Sequence, residues 1–168
     1  KIAPGNKVAI THFSKVIVTS DNENDWLNAA DYLGKIDPGN ETAINTFIKI
    51  MENTKSKFTR HIAAQYLGKL DPGNERAAIE IVNLIESTDC SMTLCVELGQ
   101  IGNTSEKVIS TLVKILETTK DNLIQWAATW SLGKVGTKNE IAIAALVRLI
   151  ETTENKQNRW QAAISLGE

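Results

Sequence analysis

Five Leu-Gly pairs punctuate the chain, at Leu33-Gly34, Leu67-Gly68, Leu98-Gly99, Leu132-Gly133 and Leu166-Gly167, spaced by 34, 31, 34 and 34 residues. Self-similarity at such a period constrains the fold more than any single motif, because one unit cannot bury its own apolar face and must stack on its neighbours. Most pairs close an alanine-rich stretch, as in Ile62-Ala63-Ala64-Gln65-Tyr66 and Gln161-Ala162-Ala163-Ile164-Ser165. The next unit then opens with Glu41, Glu75, Glu106 or Glu140. No shift in composition marks a second domain, so the sequence predicts one array over 1–168, with units near 1–35, 36–69, 70–100, 101–134 and 135–168.

Residues 36–69 show what one unit contains. Asp37-Pro38-Gly39-Asn40 is a turn in which Pro sets φ, Gly accepts positive φ and Asn40 caps a helix starting at Glu41. The same cap recurs at Asn6, Asn74, Ser105 and Asn139. The first helix carries Ile44, Phe47, Ile48 and Met51, the stripe of a helix packed on one side. Ile79, Val82 and Ile85, then Ile109, Leu112 and Leu116, then Ile143, Leu146 and Ile150 are its equivalents. A polar turn leads to a second helix expected to stop at Gly68, in the left-handed conformation of a helix C-terminus. Each unit is therefore an αα-hairpin, with a first helix A and a second helix B.

A period of 34 also belongs to tetratricopeptide repeats, but there the Leu-Gly lies inside the first helix, whereas here Pro38 and Pro72 follow within five residues of the Leu. The phrases Arg60-His61-Ile62-Ala63-Ala64-Gln65-Tyr66-Leu67-Gly68 and Arg159-Trp160-Gln161-Ala162-Ala163-Ile164-Ser165-Leu166-Gly167 resemble HEAT repeats. More narrowly, they resemble the short HEAT-like repeats named after phycobilisome lyases. The resemblance implies an all-α, right-handed α-solenoid of five HEAT-like hairpins. Its functional implication is a non-enzymatic scaffold or sensor arm that binds a protein on its concave B-helix face, or alternatively a bilin-lyase-like enzyme handling a linear tetrapyrrole. Trp26, Ser91 and Gln125 replace the Arg in three units, and the third unit lacks three residues between Glu86 and Leu98, which predicts a shorter A–B turn there.

The net charge of −2, with both signs mixed along the chain, gives no basic stripe for nucleic acid and no polybasic segment for a membrane. No apolar run approaches a membrane span of about 20 residues, and no targeting segment is visible, so a cytoplasmic location is expected. Cys90 and Cys95, placed in one predicted helix, would point roughly 140° apart; they read as reduced packing residues rather than a disulfide or metal pair. His12 and His61 show no ligand spacing, Arg60 and Arg159 read as partners of acidic groups within the stack, and the Pro-Gly-Asn turns lack the spacing of phosphate loops. No catalytic residue, cofactor or metal site is expected. The apolar first helix (Val8, Ile10, Phe13, Val16, Ile17, Val18) and the missing polar end caps predict a fragment of a longer chain, or self-association through its terminal units.

Placing each Leu of the Leu-Gly pair at 0° and advancing about 100° per residue puts the position two before it near 160°, opposite the core. That position reads Asp31, Gln65, Val96, Trp130 and Ile164, polar early and apolar late. The position six before reads Leu27, His61, Met92, Trp126 and Trp160. Together they predict a ridge of Met92, Val96, Trp126, Trp130, Trp160 and Ile164, with His61 and Gln65 at its edge. Contiguous exposed aromatics mark a protein contact; the competing readings are that Trp126 and Trp160 glue one B helix to the next, or that the ridge meets another domain of the same chain.

Overall fold

The computed structural model describes residues 4–88 and 90–167, and among these the regular structure is entirely helical. Ten helices follow one another: α1 (Lys7–Thr19), α2 (Glu23–Ile36), α3 (Glu41–Asn53), α4 (Lys57–Leu70), α5 (Glu75–Ser87), α6 (Met92–Ile101), α7 (Glu106–Thr118), α8 (Asn122–Val135), α9 (Glu140–Thr152) and α10 (Lys156–Gly167). Odd helices are the A helices and even ones the B helices. Asn6, Asn40, Asn74 and Asn139 accept hydrogen bonds from first-turn backbone N–H groups, as their side-chain chemistry dictates. Ser105 makes no such bond.

The helices cluster into two compact units, Lys1–Asp71 and Pro72–Glu168. In the first, α1 pairs with α2, α3 with α4, and α2 packs chiefly on α3. In the second, the hairpins α5–α6, α7–α8 and α9–α10 stack in two layers, α5 to α7 to α9 and α6 to α8 to α10, the arrangement of an α-solenoid. Buried between the layers lie Ile81, Val82, Leu98, Val108, Leu112, Ile115, Leu132, Leu146 and Leu149. Of the stripe expected for the A helices, Phe47, Met51, Val82, Ile85, Ile109, Leu112, Leu116 and Leu146 are buried, but the packed face is wider than that stripe. Ile79 and Ile143 are exposed, while Ile50, Ile81, Val108 and Ile115 are buried, because these helices are apolar over more than one stripe.

Helix α10 ends at Gly167, but the other four B helices do not stop at their Leu-Gly pairs. They run on to Ile36, Leu70, Ile101 and Val135, and the positive-φ glycines are instead Gly5, Gly39, Gly73 and Gly102 in the turns that follow or precede them. Gly99 and Gly133 serve close approach. A Cβ on Gly99 would come within 2.9 Å of Ser131 Cα, and one on Gly133 within 3.0 Å of Ser165 Cα, so each is a seat for the next B helix. The serine hydroxyls complete the seam: Ser131 Oγ donates to the Cys95 carbonyl at 2.6 Å and Ser165 Oγ to the Thr129 carbonyl at 3.2 Å. In α4 the equivalent of these serines is Tyr66, stacked on Phe47 at 5.6 Å. Gly34 is instead approached by Leu70 of α4, whose Cδ1 would lie 2.9 Å from an added Cβ.

The third hairpin loses its three residues from the helix, not the turn. The linker Thr88–Ser91 has four residues where Thr54–Ser56 has three, and α6 has 10 residues where α4 has 14.

Candidate functional site

Three B helices of the second unit carry the ridge residues. Met92 and Val96 lie on α6, Trp126 and Trp130 on α8, and Trp160 and Ile164 on α10. The seams at Gly99 and Gly133, with Asn158 Nδ2 donating to Gln125 Oε1 at 2.6 Å, hold these helices side by side. The six residues therefore share one unit. His61 and Gln65 lie on α4, in the other unit, and both are half-buried.

Exposure differs along the ridge. Trp160 is 66% exposed and Met92 42%, whereas Val96, Trp126, Trp130 and Ile164 are half-buried. The burial of Trp130 has a specific cause. Its ring covers Gly99, whose added Cβ would lie 2.7 Å from Trp130 Cζ3. On its other side the Lys134 ammonium lies 5.9 Å from the ring centroid. Trp130 is thus both seam and surface, so packing accounts for part of it. The register that sets Gln125 and Thr129 of α8 against α10 puts Trp126 on that flank, and Trp160 occupies the same position on α10, where no described helix covers it. Leu123, 64% exposed on α8, extends the apolar surface. It sits nine residues before Leu132, near 180° on the same wheel, and periodicity extended by two turns finds it.

The arginines have a different role from the one their charge suggests. Arg60 donates from Nε to the Met51 carbonyl at 3.1 Å and from Nη2 to the Thr54 carbonyl at 2.8 Å; Arg159 Nη2 donates to the Thr153 carbonyl at 2.5 Å. Both satisfy orphan carbonyls at the C-terminus of their A helix and complement its dipole. Trp26 does the same through Nε1, which donates to the Ser20 carbonyl at 2.7 Å. The Arg of the repeat phrase is a clamp within one hairpin.

Two grooves lie outside the ridge. In the first unit, a groove of about 370 Å³ opens between α2 and α4 over Phe47, lined by Ala30, Gly34, Leu70, Tyr66, Lys69 and the Asp31–Lys35 ion pair (2.5 Å). The hydrogen bond to Asp31 holds the Lys35 ammonium above its ordinary pKa. In the second unit, Ile141, Ala144 and Arg148 of α9 face Val113 and Glu117 of α7 across a space of about 580 Å³, bridged by Arg148–Glu117 at 3.0 Å.

Among the described residues no cluster of three or more His, Cys, Asp or Glu could hold a metal, and no helix is long and apolar enough to cross a membrane. Residues 89–167 match the HEAT-repeat family. That segment runs through α6 to α10, the part of the chain in which B helices stack on one another, and the match supports a HEAT-repeat assignment for it. No curated protein matches the sequence.

Proposed function

We propose that the chain is a non-enzymatic interaction scaffold, or the sensor arm of a larger assembly, that binds a protein partner on the ridge of α6, α8 and α10. The observation that carries this reading is Trp160, a tryptophan two-thirds exposed on α10. Exposing an indole forgoes the hydrophobic gain of covering it, about 25 cal/mol per Å² of apolar area, and tryptophan is the residue most enriched at binding hot spots. Met92, Leu123 and the half-buried Trp126 and Trp130 supply adjoining apolar surface, while Lys134 supplies a charged rim. HEAT-type arrays in general present such B-helix surfaces to other proteins. The narrower kinship with phycobilisome-lyase-type repeats rests on the Arg-x-x-Ala-Ala-x-x-x-Leu-Gly phrases alone, and a cytoplasmic setting accords with two free thiols.

The test compares the wild type with a Met92→Ala/Trp160→Ala double variant as immobilised bait in lysate of the source organism. A defined protein retained by the wild type and lost by a variant of unchanged melting temperature is the expected result. Equal retention by both would remove the ridge from the binding surface.

A further inference from the structure

Cys90 and Cys95 are the only cysteines of the chain, and neither the seams nor the ridge uses their sulfur. Their sulfurs lie 3.5 Å apart. The shortened third hairpin produces this approach. Because α6 begins at Met92, Cys90 stands outside the helix, before the N-cap Ser91, and folds back over the first turn, where Cys95 is fully buried. Had α6 begun a turn earlier, helical geometry would have turned the two thiols roughly 140° apart. The other hairpins have no cysteine near this corner.

We propose that Cys90 and Cys95 form a reversible intramolecular disulfide site, closed by exchange with a low-molecular-weight disulfide of the glutathione type. Cys90, half-buried, is the entry point. Its thiolate attacks one sulfur of the small disulfide, forming a mixed disulfide and expelling one small thiolate, which takes up the proton that Cys90 lost. The Cys95 thiol then attacks the Cys90 sulfur, passing its proton to the second small thiolate as that group is expelled. Two protein thiols and one small disulfide become one protein disulfide and two small thiols, so electrons and protons balance without another reactant. The sulfurs have to approach by about 1.5 Å to reach bonding distance. Burial of Cys95 shields the second sulfur from outside reagents and directs it to Cys90.

The bond would fix the corner from which α6 starts. Met92 lies between the two cysteines and Val96 directly after them, while the Cys95 carbonyl receives Ser131 Oγ from α8. The consequence for partner binding therefore rests on the ridge reading. Disulfide formation itself does not.

The test incubates the reduced chain with oxidised glutathione, quenches with acid, alkylates and reads the intact mass. The expected product is the monomer lighter by two hydrogens and carrying no alkyl group, returning to two alkylatable thiols after reduction. The Cys95→Ser variant should stop at one glutathione adduct on Cys90. The closing equilibrium is then compared between the folded chain and the chain in denaturant, where proximity along the sequence alone acts. Folding should favour closure by roughly tenfold or more, which corresponds to about 30 mV in the two-electron potential. A wild type that stops at the mixed disulfide, keeps both thiols, forms only intermolecular bonds, or closes no better folded than unfolded would overturn the proposal.

Discussion

At position 133 the seam between α8 and α10 admits nothing larger than hydrogen, since the nearest Ser165 atoms would lie 2.6–3.0 Å from an added Cβ. One of those atoms is backbone, so a rotamer change cannot relieve the overlap. Gly133→Ala should therefore cost about 1–3 kcal/mol, the scale of overpacking. Gly167→Ala, with nothing within 4 Å of its Cβ, should leave the melting temperature essentially unchanged. The Leu-Gly period exposes these glycines in the sequence, but it does not say whether they terminate helices or seat neighbours. That distinction depends on which helix lies opposite, a tertiary fact. Cys95 makes a second prediction at this scale. Burial first, then the adjacent Cys90, push its thiol well above the ordinary range. The unfolded chain releases this proton near pH 8.5 while the folded chain keeps it. The folded state binds more protons above that pH, so the contribution is intact below about pH 8.5 and is lost as pH rises, by up to about 1.4 kcal/mol per pH unit. Denaturant melts from neutral to alkaline pH should show this slope in the wild type, and Cys95→Ala should flatten it.

Leu132 on α8 and Trp160 on α10 separate stability from surface. Leu132 is fully buried against the A layer, and Leu132→Ala should cost about 2–5 kcal/mol. Trp160→Ala on α10 should change stability by well under 1 kcal/mol, because most of that ring already faces solvent. Thermal melting of the two variants measures the contrast. Helix identity and the asparagine caps Asn6, Asn40, Asn74 and Asn139 were legible in the sequence because Asn accepts N–H groups through purely local geometry, whereas Ser105 makes no such bond. The A-helix phase was less legible. Ile141, Ile143 and Val147 make α9 apolar at exposed positions outside its packed stripe, and a wheel cannot tell such a position from a buried one. Trp130 escaped for the opposite reason, since its seat on Gly99 lies in another hairpin.

For the whole chain, the five-fold period correctly gives five hairpins, but it treats all joints as equal. In the first unit α2 packs chiefly on α3 and meets α4 through Leu70 over Gly34, whereas Ser131 and Ser165 seat on Gly99 and Gly133 as α6, α8 and α10 stack in series. The register residue is Tyr66 in α4 and serine in α8 and α10, and the repeat period averages that difference away. Two neighbouring wheel positions select the six ridge residues in the sequence, but the period does not give their unequal exposure. The central claim is that the B-helix ridge of the second unit meets a protein partner. The most direct test places a photoreactive phenylalanine analogue at Trp160, or at the exposed Lys114 of α7 as control, and irradiates the chain in lysate of its source. A discrete adduct to another protein from position 160, absent from position 114, is the predicted result. No adduct from 160, or the same adducts from both positions, would contradict it.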